Sequence, residues 1–337
     1  MKYVTLFASL VLLIFCSTVS YSANDTLMKQ ANRFFKPLPK VMLSDQNPIT
    51  PAKVKLGKML FYETRLSVDG TVSCEKCHPF SLYGADGLPK SAAAFCKIAP
   101  RNAPTVLNAA GEIAEHWTGN MKNVEEQASK AMSTPVANYT DVLARLKSIK
   151  GYVLSFKKAF PQDKQPITFE NIGLSVGAFE RTLTTPSPFD AYLKGNENAL
   201  TREQKEGLKT FIDTGCIECH NGTYVGGGMY MKFGIYAPYW KYTKSKEIDK
   251  GRYELTKNNA DLYVFKVPVL RNVEMTPPYF HDGSVKRLRH AVRIMAKIQL
   301  NKDLSKDDID KIVSFLDSLT GSMSQDALTV PVLPAEQ

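Results

Sequence analysis

The sequence predicts a mainly α-helical chain in two halves, each a small helical domain wrapped around one copy of the same pentapeptide. Three observations carry this. Apolar residues recur at helical spacing behind capping residues along much of the chain, while strand signals are weak. The stretches Cys74-Glu75-Lys76-Cys77-His78 and Cys216-Ile217-Glu218-Cys219-His220 both read C-x-x-C-H. Between them, Thr185-Pro186-Ser187-Pro188 punctuates the chain and predicts a linker.

In chain order, residues 1–22 read as a secretory signal. Lys2 is the charged start, Val4 to Val19 the apolar run, and Ser20-Tyr21-Ser22 supplies small residues for cleavage. The run is short for a membrane span; retention as an N-terminal anchor is the alternative. Cys16 follows the bulky Phe15, which argues against a lipoprotein site, so Cys16 leaves with the signal. Thr50-Pro51 opens a helix carrying Val54, Leu56, Met59 and Leu60. Asn123 with Glu126, and Thr201 with Gln204, read as capping boxes. The helix after Thr201 runs straight into the second pentapeptide. Thr168 precedes the stripe Ile172, Val176, Phe179. Ser284 precedes Leu288, Ala291, Val292 and Met295, and Ser305 precedes Ile309, Ile312, Val313 and Leu316. The segment Tyr224 to Pro268 is rich in Gly, Tyr and Lys and reads as a long loop with room for a short hairpin. The resulting division is a signal at 1–22, an N-terminal domain at 23–185, a C-terminal domain at 186–325 and a tail at 326–337.

C-x-x-C-H is the attachment signature of a c-type haem. Two thiols one turn apart form thioethers to the haem vinyls, and the adjacent histidine supplies an axial imidazole. The alternatives are a zinc site or a disulfide pair. Two copies in a chain with six cysteines and five histidines favour two covalent haems. Export agrees, because such haems are attached outside the bacterial cytoplasm. Four sulfurs go to haem and Cys16 to the signal, which leaves Cys96. It is expected as a buried free thiol, ahead of an intermolecular bridge or a ligand near the first haem. The formal charge of +10 favours an acidic redox partner. No dense Lys/Arg run or nucleic-acid motif is present, which argues against nucleic-acid binding.

From about Leu56 to Gly321 the chain resembles the bacterial dihaem cytochrome c peroxidases, within a broader group that includes the dihaem enzyme maturing methylamine dehydrogenase. The resemblance rests on ordered blocks: Leu56 to Phe61, Arg65-Leu66-Ser67, the first C-x-x-C-H, Pro100 to Val106 and Glu126-Gln127-Ala128. Phe189 to Leu193, the second C-x-x-C-H, Leu270-Arg271-Asn272 and Pro278-Tyr279-Phe280-His281 follow. It implies two cytochrome c-like helical domains with the haems near their interface. The second haem would be a high-potential electron store ligated by His220 and Met295. The first would be proximally ligated by His78 and would meet peroxide. A thioether ligand raises a haem potential; read alone, Met295 on an apolar helix face is more often a core residue than a ligand. The methylamine-dehydrogenase enzyme has tyrosine at the position of Met295, so this ligand set sides with the peroxidases. The resemblance further places Trp117 between the haems. A calcium ion would be held by Asn102 and the backbone oxygens of Thr276 and Pro278, hard ligands of the kind calcium takes. Plain packing for Trp117 and a turn cap for Asn102 are the alternatives.

The departures from the family pattern gather around the first haem. The loop histidine that usually caps its iron falls three residues after Ser91, on Ala94. The distal glutamate that moves a proton between the peroxide oxygens falls ten residues after Gln127, on Ala137. The family's Phe-Trp-Asp-Gly-Arg block reads His116-Trp117-Thr118-Gly119-Asn120. His116 is therefore a candidate acid/base group, iron ligand or structural residue. His281 is expected as a supporting donor near the second haem, and His290 as a surface residue.

The function these readings predict is a periplasmic peroxidase that reduces hydrogen peroxide to water. Its electrons would come from a small redox protein, a cytochrome c or a cupredoxin, and family likeness suggests a homodimer. The rival readings are a dihaem electron-transfer or ligand-sensing cytochrome that has lost catalysis, and an enzyme that oxidises a partner protein.

Overall fold

A computed structural model describes residues 23–133 and 142–336. The expected signal, with Cys16, and Ala137 lie outside the described residues. Among the described residues no helix is long and apolar enough to cross a membrane.

The first half runs through α1 (Ala23–Phe34), α2 (Pro51–Phe61), α3 (Cys74–Cys77), α4 (Val124–Ser133), α5 (Val142–Ser148), α6 (Lys150–Ala159) and α7 (Phe169–Glu180). The second holds α8 (Pro188–Leu193), α9 (Arg202–Thr214), α10 (Tyr239–Thr243), α11 (Tyr253–Thr256), α12 (Leu288–Leu300), α13 (Lys306–Asp317) and α14 (Gln325–Leu328). The only paired strands among the described residues are β1 (Tyr230–Lys232) and β2 (Val264–Lys266), antiparallel with Met231 opposite Phe265. They lie inside the segment expected as a long loop, with α10 and α11 inserted between them.

Most predicted helix starts are used. Thr50 caps α2 through its bond from Lys53 N, Thr168 caps α7, and Ser305 caps α13. Thr201 and Gln204 form a reciprocal capping box on α9. Asn123 accepts from Glu126 N at 2.9 Å, but Glu126 bonds back to Lys122 N rather than to Asn123. Ser284 does not cap α12, whose N-cap is Arg287.

Each half has its own apolar core, and each core lets two helices touch at a glycine. A Cβ on Gly57 of α2 would meet Ser175 O of α7 at 1.9 Å, and one on Gly207 of α9 would meet Lys311 O of α13 at 1.9 Å. Leu56, Leu60, Phe61, Phe80, Tyr152 and Phe179 fill the first core. Phe35, Phe189, Leu208, Phe211 and Phe315 fill the second.

Packing crosses the division expected at residue 185 at both chain ends. α1 sits in the second core: Phe35 meets Phe189 edge-on at 5.3 Å, and Phe34 O accepts from Gly222 N just past the second pentapeptide. The tail returns to the first core, where Ala327 is buried, Arg65 Nη2 donates to Pro334 O at 2.9 Å and Lys58 pairs with Asp326 at 3.3 Å.

The punctuation at residues 185–188 is not a loose linker. Ser187 and Asp190 form the capping box of α8 with Pro188 at its first position, the place where proline costs no hydrogen bond. Thr185 is fully buried; its hydroxyl accepts from Asn108 Nδ2 and Asn272 Nδ2, both at 2.9 Å. The signal was proline at a helix start, and it was read as proline in a connector.

Candidate functional site

The first pentapeptide forms the single-turn α3 and its exit. His78 N bonds to Cys74 O at 3.0 Å, and Cys74 packs against the first core. The chain then turns at Gly84 (φ +72°), whose carbonyl lies 3.0 Å from His78 Nδ1. A carbonyl can only accept, so Nδ1 carries the proton and Nε2 keeps its lone pair. This is how an imidazole is prepared as a ligand. Burial holds His78 below the ordinary imidazole range, and positive charge on His116 acts in the same direction. Burial also pushes the Cys74 thiol up to about 12, with Glu180 adding to the shift.

The second pentapeptide follows α9 through Gly215, which adopts φ +94° and closes the helix. His220 N bonds to Cys216 O at 3.0 Å, the same turn as in the first copy. Cys216, Cys219 and His220 line a cavity of about 240 Å³, together with Phe211, Val292 and Met295. His220 is buried, the backbone oxygens of Val225 and Pro268 face its ring without a well-aligned bond to Nδ1, and burial outweighs them to push it down to about 4. Met295 thus shares an apolar cavity with His220, as its reading as a ligand requires.

Both sites fit covalent haem. The four cysteines are free rather than bridged. Burial raises both leading thiols, Cys74 and Cys216, to about 12. A redox-active C-x-x-C pair instead needs a lowered thiol pKa. Among the described residues, no group of three His, Cys, Asp or Glu side chains converges as a metal site. The Nδ1–H of His78 held by the Gly84 carbonyl is what an iron-ligating histidine presents, and His220 stands buried beside Met295 in the cavity next to Cys216 and Cys219.

The remaining candidates meet where the two halves touch. The loop from Glu115 to Met121 is closed by Glu115 N bonding to Met121 O at 2.8 Å, and it presents His116 and Trp117. His116 adopts φ +66°, an uncommon conformation for a residue with a side chain. Its Nδ1 lies 2.9 Å from Asn120 Oδ1, so Nδ1–H donates and Nε2 is again bare. Burial lowers His116, partly offset by this bond. Trp117 Nε1 donates to Asn102 O at 2.9 Å, and Lys266 N donates to Trp117 O at 2.8 Å, which ties the first half to β2.

His116, Trp117, Asn102, Thr276, Pro278 and His281 all line the cavity that contains His220 and Met295. Asn102 Nδ2 donates to Leu88 O at 2.8 Å, which leaves Oδ1 without a donor. His281 is buried in an aromatic box. It stacks on Phe265 at 4.5 Å, meets Tyr239 at 5.2 Å and Trp117 at 6.3 Å, and its backbone oxygen accepts from Asn102 N. Gln127 lies half-buried on α4 and does not line that cavity. His290 is exposed, as expected. Cys96 is exposed rather than buried, because the chain folds back at the bridge Ala92–Ile98 and carries Cys96 at the projecting tip.

Sequence reasoning missed a buried carboxyl cluster beside the first site. Arg181 holds Glu125 through bonds of 2.6 and 2.9 Å, and Asn47 joins at 2.9 Å. Glu115 and Glu180 are buried near this pair without a salt bridge of their own. Burial pushes Glu115 up to about 8 and Glu180 well above the carboxylate range. The available signal was a glutamate next to Phe179 on the otherwise apolar stripe of α7. A second missed pair is Lys266 with Glu112, buried across the seam, with Lys266 pushed down to about 7 by burial.

Residues 51–198 match the family described as di-haem cytochrome c peroxidase. The chain is 44% identical to the cytochrome c551 peroxidase of Pseudomonas aeruginosa over 92% of this chain and 90% of that protein. It is 40% identical to the cytochrome c551 peroxidase of Nitrosomonas europaea over 87% and 89%. Among solved structures, a MauG-like protein associated with microbial copper homeostasis superposes with a TM-score of 0.75 at 25% identity, covering 88% of this chain and 97% of that one.

Proposed function

The chain belongs to the di-haem cytochrome c peroxidase family and is an oxidoreductase acting on peroxide, and from that premise we propose how its two sites divide the work. The net change is hydrogen peroxide plus two electrons and two protons giving two waters. Two bound haem c groups supply the redox chemistry, one receiving electrons and one meeting peroxide. Cys216, Cys219, His220 and Met295 hold the receiving group. Cys74, Cys77 and His78 hold the other, with Nε2 of His78 freed by the Gly84 carbonyl.

His116 lines the cavity of His220 and Met295 and also stands within electrostatic reach of His78, and in this reading it is the acid/base group of the first site. The observation that carries this is its fixed tautomer: Asn120 takes the Nδ1 proton and leaves Nε2 a lone pair. In this reading Nε2 accepts a proton from one peroxide oxygen and returns it to the other, the task a carboxylate at position 137 would perform. Trp117 bridges the two halves electronically, and Gln127 is a polar partner for peroxide. Asn102 Oδ1 and the carbonyls of Thr276 and Pro278 hold a calcium ion in the seam. The chain works in the periplasm as a homodimer after loss of residues 1–22, taking electrons from a small cytochrome c or cupredoxin.

His116→Ala should lower peroxide turnover by at least ~100-fold; unchanged turnover removes the role. The same bare Nε2 also suits a second reading, in which His116 ligates the iron and the chain is an electron carrier. A resting EPR spectrum separates them: a high-spin first haem supports the acid/base role, and two low-spin haems support the ligand. With alanine at position 94, turnover should begin without reductive pretreatment.

A further inference from the structure

α12 has two unlike faces. Ala291, Val292 and Met295 face the second-site cavity, and Ala291 and Ile294 are buried. The other face carries Arg287, Arg289, His290 and Arg293, all exposed, which together line a surface groove of about 310 Å³. Lys286 is exposed beside them. On this face only Arg289 has an ion partner among the described residues, Asp310; Arg287, His290 and Arg293 have none.

This arrangement is costly for the fold. The first turn of α12 contains no acidic residue and two basic side chains, which opposes the positive end of the helix dipole. Arg289 and Arg293 stand one turn apart, where like charges repel. Asp310 of α13 offsets Arg289 alone. A stretch that breaks two local rules without structural return is where function is expected to have set the sequence.

We propose that this face docks the electron donor, and that the donor is an acidic one-electron redox protein whose carboxylates surround its own redox centre. The proposal rests on the reading that the His220–Met295 site receives electrons. Arg287 and Arg293 are free to take carboxylates in the bidentate geometry that guanidinium favours. Arg293 and Met295 stand on opposite faces of α12, so a donor seated here is separated from the receiving site by the thickness of one helix, about 10 Å. The formal charge of +10, which becomes +9 when Lys2 leaves with residues 1–22 and is partly offset by haem propionates, attracts such a partner over longer range. In each encounter the donor centre loses one electron and the second-site iron gains it, and no bond forms or breaks.

The test uses mature holoenzyme and one cytochrome in two charge states. Reduced mitochondrial cytochrome c is used as it is, basic, and with its lysines succinylated, acidic. Binding is measured by surface plasmon resonance from ~10 to ~200 mM salt, with steady-state oxidation under peroxide alongside. The acidic form should bind the wild type at least ~10-fold tighter than the basic form and weaken as salt rises. Arg287→Glu/Arg293→Glu should lose that preference or reverse it, with an unchanged haem spectrum showing that the fold is intact. Lys157→Glu/Lys158→Glu, on the exposed face of α6, should behave as wild type.

Equal binding of the acidic form by wild type and the Arg287/Arg293 variant overturns the proposal, as does a preference for the basic form. Loss of binding to anionic phosphatidylserine vesicles with unchanged cytochrome binding also overturns it, in favour of a membrane surface. If the acidic form binds through Arg287 and Arg293 yet neither cytochrome nor hydroquinone supports peroxide turnover, the docking surface stands and the peroxidase assignment fails.

Discussion

The two C-x-x-C-H turns are built alike and housed differently. In both, the histidine N–H closes the turn on the first cysteine carbonyl at 3.0 Å. The second histidine then enters an apolar cavity with no well-aligned bond to its Nδ1. The first is held by the Gly84 carbonyl, stands within electrostatic reach of His116, and has a buried carboxyl cluster nearby. The surroundings suit different tasks. A thioether beside His220 favours a centre that changes charge without moving protons. The buried carboxyl cluster beside the first site, with His116 standing between the two sites, favours one where protons must travel.

The strongest way to break this contrast is to open the second housing. Arg271 is fully buried and grips Asp190 through bonds of 2.8 and 2.9 Å, while Leu38 N and Ser187 N add to the same carboxylate. Arg271→Ala strands a buried charge and should cost ~3–5 kcal/mol in urea unfolding. Burial would raise Asp190, but Arg271 and the hydrogen bonds outweigh it and hold it low. A depressed carboxyl contributes stability above its unfolded pKa that is lost as pH falls through the folded value. The deficit of the variant should therefore be largest near neutral pH and shrink as pH falls and Asp190 takes up its proton.

The first housing should respond to pH in the opposite sense. Glu115, with a folded pKa near 8, keeps its proton when the unfolded chain has released it. Stability then falls as pH rises from about 4.5 to 8. Glu115→Gln should flatten that fall by ~1 kcal/mol or more, visible as a smaller Tm difference between the two ends of the range.

Asn120→Ala frees the His116 tautomer. It should lower peroxide turnover about 10-fold while leaving the second haem's spectrum unchanged; an effect on both haems would merge the two sites. The smallest effects are at the caps. Thr168→Ala on α7 and Thr201→Ala on α9 should each cost ~1 kcal/mol by chemical denaturation, and similar costs would show that the halves differ in their sites and not in their scaffolds.

Much of this was legible in advance. The caps at Thr50, Thr168, Thr201 and Ser305, and the two attachment turns, are local signals, and local chemistry decides them. Thr185 to Pro188 misled because proline marks both a connector and a helix start, and burial of Thr185 depends on Asn108 and Asn272, 77 and 87 residues away. Glu115, Glu125 and Glu180 are ordinary glutamates until three segments bring them together around Arg181. Cys96 was expected inside because free cysteines usually are, but the loop that carries it turns outward. His116 stood out only by departing from its family, and its tautomer depended on a neighbour four residues on.

The crossing of the chain ends has a consequence for the order of assembly. Phe35, just after α1, packs on Phe189 and Phe315, more than 150 residues away in sequence. The first core in turn takes in Ala327, and Arg65 beside it bonds to Pro334. Contacts between the extremes of a sequence are the slowest to find. Neither half can close its core without a segment from the far side of the other, so both haem-bearing units should reach their final packing together rather than one after the other.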